Sequence, residues 1–163
     1  MFASQDIAQV VLIGAGATAF MDVWLLLLKR LGVPAGNWAL IGRWVGHLAR
    51  GRIAHASIAK AQPVALESTL GWLAHYAAGI AFAGLLVAVQ GVGWLQQPTP
   101  LPPLAIGVAT VVLPLFVMQP AMGSGLAAAK TAAPLKNCLR SLANHTVFGA
   151  GLYLAAAVLA WPR

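Results

Sequence analysis

Glu67 and His75 are the first residues in this sequence whose types and spacing point to chemistry. They stand in ESTLGWLAHYAAGIAF, which runs from Glu67 to Phe82, and Glu67, Gly71 and His75 follow at four-residue steps. On a helix of about 100° per residue they lie roughly 80° apart around the axis and about 12 Å apart along it. Tyr76 adds a phenol, and Ala78, Gly79 and Phe82 extend the face. The surrounding apolar run continues to Val89, long enough to cross a bilayer as a helix. An ionisable side chain there costs about 2.5–3.5 kcal/mol at the centre and less near the ends, so each one needs a reason. Asp22 and His145 raise the same question in two other apolar runs.

Carboxylates and neutral imidazoles are ordinary ligands for zinc or iron, and Asp22, Glu67, His75 and His145 supply enough donors for one or two ions. The same groups can carry protons, with Glu67, His75 and Asp22 as the acids and bases of a catalytic site. A plainer role stands beside this one, since a membrane histidine often only hydrogen-bonds a nearby carboxylate. Met118 and Met122, one turn apart, can offer thioethers to copper, but methionines near a helix end are usually packing. A haem held by His75 and His145 is a weaker candidate cofactor, because nothing in the sequence asks for it. HExxH, GxSxG, a phosphate loop with its lysine and the Glu-x-x-His pairs of di-iron bundles are all absent.

The composition explains why these few polar groups stand out. Of 163 residues, 60% are hydrophobic and 8% charged, with a mean hydropathy of +0.82. A soluble domain carries roughly 25% charged residues, so this balance means membrane. The only acids are Asp6, Asp22 and Glu67. A formal net charge of +7 invites nucleic acid, but the bases sit between apolar runs and form no tract among aromatics. The expected partner is therefore the lipid bilayer, with no nucleic acid. Cys138, the single cysteine, excludes an intrachain disulfide and a CxxC site. No Lys or Arg precedes Lys29, so the first apolar run lacks the basic start of a cleavable signal peptide and is expected to persist as a helix.

Four runs approach the roughly 20 residues that span a bilayer: about 7–28, 65–89, 101–122 and 142–161. The expected fold is an all-α membrane protein, a single transmembrane domain over residues 1–163 with four transmembrane helices. Pro114 and Pro120 should kink or break the third. Lys29, Arg30, Arg43, Arg50, Arg52 and Lys60 fall between the first two spans, and Lys130, Lys136 and Arg140 between the last two. GVGWLQQPTPLPP, between the second and third, has no charge, and the termini offer only Asp6 and Arg163. The positive-inside rule makes both basic loops cytoplasmic and puts both termini on the periplasmic side of a bacterial inner membrane.

The first loop, about 37–61, reads as a cytoplasmic amphipathic helical segment. Asn37 can cap a helix beginning WALIGRWVGHLAR. Trp38, Ile41, Val45 and Leu48 form its apolar stripe, opposite Arg43, His47 and Arg50. His47 is thereby expected to meet solvent or headgroups and His55 is left unassigned, although a loop that folds back could bring either histidine to the mouth of the polar cluster. IAHASIAKA reads as a second short helix reaching Pro63, a residue suited to the first turn of the next span. With this orientation Asp22, Glu67, His75 and His145 all fall in the cytoplasmic half of the bundle. Gly14, Thr18 and Asp22, like Ser141, His145 and Gly149, recur at four-residue steps, a spacing of small residues that lets helices approach closely. QPAMGSGLAAAK reads as a flexible helix exit.

MDVW at 21–24, NWALIGRWVGH at 37–47, PVALESTLGWLAHY at 63–76, QPAMGSGLAAAK at 119–130 and SLANHTVFGAGLY at 141–153 together resemble a family of small bacterial four-helix inner-membrane proteins of about 160 residues, classed only as a domain of unknown function. The resemblance covers nearly the whole chain. It implies four membrane helices and marks Asp22, Asn37, Arg43, His47, Glu67, His75 and His145 as motif positions; Arg43, His47 and Asn37 become candidates for binding a cofactor or headgroup. It implies no reaction. Three functions therefore stand open: a metal- or proton-handling site, enzymatic or not; a transporter protomer, which would need a homo-oligomer to wall a pathway; and an assembly or structural subunit.

Overall fold

The computed structural model describes residues 3–34 and 36–161; Arg163, counted above among the terminal charges, lies outside the described residues. Among the described residues there are five helices, a few short 3-10 turns and no strand. The helices are α1 (Ser4–Arg30), α2 (Trp38–Leu48), α3 (Glu67–Gln90), α4 (Leu101–Ala121) and α5 (Pro134–Ala160). All but α2 are long and apolar enough to cross a membrane. The shortest of the four, α4, has 21 residues and extends about 31 Å, close to the roughly 30 Å of a hydrocarbon core. Only 22–28% of each apolar window is buried inside the protein. Leu12, Leu26, Leu73, Val89, Phe116 and Leu154 face outward, a surface that suits lipid and not water.

Local chemistry sets the helix ends. After Lys29 and Arg30, whose charges complement the carbonyl end of α1, Gly32 takes a φ of +78° and the Val33 amide bonds the Leu28 carbonyl at 2.9 Å. Proline does not stop α4. The helix widens into a π turn over Pro114–Met118 and runs on to Ala121, because a wider turn accommodates the ring and the missing donor. α3 begins only at Glu67, after Leu66 at φ +57°, so Pro63 lies ahead of the helix. α5 begins at Pro134, about two turns before the apolar run, so Lys136 and Arg140 are helical. Proline suits that first helical position, where its missing donor costs nothing.

Two compact units divide the chain. One comprises Met1–Pro34, Tyr76–Thr110 and Asn144–Arg163; the other comprises Ala35–His75 and Val111–Ala143. In the first unit Ile13, Ala17, Leu86, Val87, Phe148 and Leu152 belong to the buried core. Lipid tails are as apolar as leucine, so close packing and not expulsion from water must hold these helices together. The small residues permit it. A Cβ on Gly14 would stand 2.5 Å from the Ile80 Cα, and one on Gly107 would stand 2.5 Å from the His145 carbonyl oxygen. The Thr18 hydroxyl folds back on the Gly14 carbonyl at 2.8 Å, satisfying itself inside the packed face.

In the second unit the Asn37 side chain accepts from the Ala39 amide at 3.0 Å and caps α2. The buried side of α2 is not its apolar stripe. Gly42 and His47 are buried, whereas Trp38, Ile41, Val45 and Leu48 are half-exposed. The cause is backbone contact: a Cβ on Gly42 would strike the Glu67 carbonyl, and one on Gly71 the Trp38 carbonyl. IAHASIAKA forms only a 3-10 turn at Ile58–Lys60. The His55 and Ile58 amides bond the Ala121 and Met122 carbonyls, at 2.8 and 3.0 Å, and so are lost to a helix. The glycine-rich exit from α4 is a chain of bonded turns, with the Ser124 amide on the Gln119 carbonyl at 2.8 Å and the Lys130 amide on the Ser124 carbonyl at 2.9 Å.

Candidate functional site

Glu67 is held by Arg43. The guanidinium grips both carboxylate oxygens, Nε to Oε2 at 2.9 Å and Nη2 to Oε1 at 3.0 Å, a bidentate pairing that only arginine makes. Its remaining nitrogen, Nη1, donates to the Ala59 and Ala61 carbonyls, each at 3.1 Å, and more weakly to that of Ile58. The Val64 amide approaches Glu67 Oε2 at 3.4 Å. The two side chains are 12% and 20% exposed. This ion pair thus sits at the first residue of α3 and clasps the carbonyls of the preceding loop, and Arg43 faces Glu67 from the more buried side of α2.

His75, two turns further along α3, lies among indoles. Its ring stacks on Trp38 with centroids 4.1 Å apart and planes at 33°, and Trp72 stands 5.9 Å away. Trp38 and Trp72 meet at 5.1 Å. An imidazole so placed gains a favourable cation–π contact whenever it is protonated.

The first unit places Asp22 and His145 with other partners. Tyr76 donates its hydroxyl to Asp22 Oδ2 at 3.0 Å, and the Trp24 indole donates to Asn144 Oδ1 at 3.0 Å. His145 Nδ1 lies 3.0 Å from the Thr110 hydroxyl, whose single proton goes to the Gly107 carbonyl at 2.8 Å. Thr110 can then only accept from the ring, so Nδ1 carries the hydrogen and Nε2 the lone pair. Phe82 covers His145 at 6.4 Å.

Two histidines on the loop side form a pair that spacing along the sequence conceals. His47 is 2% exposed and His55 9% exposed, with rings 4.8 Å apart and planes at 67°. His47 is therefore buried and not solvated, because the Gly42 contact turns its side of α2 inward. Its Nε2 meets the Gln62 carbonyl at 2.9 Å. Burial lowers the pKa of His55, helped by His47 and then Arg52. A turn through Arg50–Gly51–Arg52, with Gly51 at φ +75°, reverses the chain between the two rings, and no periodicity marks such a reversal.

Among the described residues no group of three or more His, Cys, Asp and Glu side chains could hold a metal ion. Asp22 is joined to Tyr76, Glu67 to Arg43, His75 to Trp38 and His145 to Thr110. Residues 11–159 match the profile of a protein family described as "Protein of unknown function (DUF2938)". No curated protein and no solved structure matches the chain.

Proposed function

The chain belongs to the DUF2938 family, and we propose that it is a proton-handling protein of a bacterial inner membrane, working as the protomer of a small-solute or ion transporter. The observation that carries this reading is the Tyr76 hydroxyl on Asp22 Oδ2 at 3.0 Å. Both residues lie within helices long enough to span, Asp22 about 12 Å along α1 from Arg30. A carboxylate there is costly unless it is paired or used, and a phenol is a partner that works in both protonation states. It donates to the carboxylate, and it accepts from the carboxylic acid. The pair can thus take up and release a proton while each half-buried group keeps a hydrogen-bond partner. The π turn in α4 adds support, since π bulges and interrupted membrane helices recur at functional and transport sites.

The proton version is preferred to a metal held by Asp22, Glu67, His75 and His145 because those side chains form no three-ligand group. In this reading the basic loops face the cytoplasm, the termini face the periplasm, and transport requires an oligomer, since four spans make a thin wall.

The test is infrared difference spectroscopy of the protein in liposomes across a pH step, with proton flux measured on the same vesicles. A carboxyl band that titrates in the wild type and vanishes in Asp22→Asn, together with a flux reduced at least roughly tenfold, is the expected result. An unchanged band and flux in Asp22→Asn sink the proposal. A structural-subunit reading is favoured by one observation only, the Arg43–Glu67 clasp on the loop before α3.

A further inference from the structure

His47 and His55 remain outside the reading above, and their surroundings ask for a ligand. The Gln62 carbonyl can only accept, so the His47 Nε2 it meets carries the hydrogen. That leaves a lone pair on His47 Nδ1, which is buried without a hydrogen-bond partner. Both ring nitrogens of His55 are likewise buried and unpartnered. A ring fixed through one nitrogen by a backbone carbonyl, with the other nitrogen bare, is the arrangement that orients a histidine for a metal. With metal–nitrogen bonds of about 2 Å, rings whose centres lie 4.8 Å apart reach one shared ion in a bent arrangement, at roughly 100° between the two bonds.

We propose that His47 and His55 together bind one copper(I) ion. The donor set selects the ion. Two neutral imidazoles without a carboxylate cannot offset a second positive charge in a buried place, and Arg52 lies near enough to act on His55. Zinc(II) wants four ligands, commonly with anionic ones among them. Copper(I) carries a single charge and accepts two or three neutral nitrogen donors, so a bent imidazole pair can hold it with one position left open. A hydrogen shared between the two rings would still leave one His55 nitrogen without a partner, and two adjacent imidazolium rings would repel. The site also has a structural consequence. It would tie α2 to the segment around His55, whose backbone is already bonded to Ala121 and Met122 through His55 and Ile58. The proposal uses none of the residues of the Asp22–Tyr76 pair, so each can fail alone.

The experiment titrates full-length protein in detergent, under reductant and without oxygen, with copper(I) against a chromophoric copper(I) chelator. One ion per chain is expected in the wild type, with affinity reduced at least roughly tenfold in His47→Ala and in His55→Ala. The copper absorption edge and fine structure of the wild type should show nitrogen neighbours and no sulfur. Binding that His55→Ala retains in full overturns the proposal. So do sulfur neighbours, which would transfer the ion to Cys138 or to a methionine such as Met118 or Met122, and the absence of binding to the wild type. Should His47→Ala fail to fold, the wild-type spectrum and His55→Gln, which keeps a polar side chain, decide the matter.

Discussion

At the scale of single residues, the acid at the start of α3 acts through its partner. Glu67 meets Arg43 through two parallel hydrogen bonds, and the same guanidinium holds the Ala59 and Ala61 carbonyls. Glu67→Gln should therefore release both the ion pair and the loop, lowering the melting midpoint in detergent by roughly 5 °C or more. Arg43→Lys should fall between the two, since an ammonium keeps the charge but cannot grip both oxygens. A Glu67→Gln protein that accumulates and melts as the wild type does would contradict this role. His55 gives a pH dependence in metal-free, chelator-treated protein. Burial, followed by His47 and Arg52, lowers its pKa in the folded state. The unfolded chain then takes up a proton near pH 6.5 while the folded chain does not, so stability is full above that value and declines as pH falls below it. Melting curves between pH 5 and 8 should show this loss in the wild type and a flatter profile in His55→Gln.

At the scale of elements, contact between backbones decides what side-chain periodicity cannot. Gly149 of α5 lies so near α4 that a Cβ there would stand 2.7 Å from the Pro103 carbonyl oxygen and 3.0 Å from the Leu104 Cα. Gly149→Ala must push the helices apart, at a cost of about 1–3 kcal/mol. Thermal denaturation in detergent measures it, and an unchanged midpoint would deny the close approach. The four spans, the cap at Asn37 and the small-residue faces were all legible in the sequence, because hydropathy, capping and four-residue spacing are local signals. The buried side of α2 was not. Its apolar stripe, Trp38, Ile41, Val45 and Leu48, stays half-exposed, and the helix turns inward where Gly42 and Gly71 let backbone meet backbone, which brings Arg43 and His47 in. IAHASIAKA misled for a related reason: its amides answer to Ala121 and Met122, residues far along the chain. Asp22, Glu67, His75 and His145 could be picked out by type, whereas their partners Tyr76, Arg43, Trp38 and Thr110 depend on tertiary packing.

At the scale of the whole molecule, charge is distributed in a way that argues for one orientation. Of the ten Lys and Arg residues, only Arg163 lies outside the segments 29–60 and 130–140. The uncharged connection between α3 and α4 and the charge-poor start of α1 stand in contrast. Moving a basic residue through the bilayer centre costs about 2.5–3.5 kcal/mol on insertion scales, so both basic segments resist translocation together and reinforce one topology. Single cysteines in a Cys138→Ser background give the test. A cysteine at Lys60 or Lys130 should react with a membrane-impermeant maleimide only after the cells are opened. One at Gln97, in the uncharged connection, should react in intact cells once the outer membrane is made permeable. The reverse pattern would invert the topology. It would also place Asp22, near the basic end of α1, toward the periplasm, so that a proton reaching the Asp22–Tyr76 pair would come from the other side.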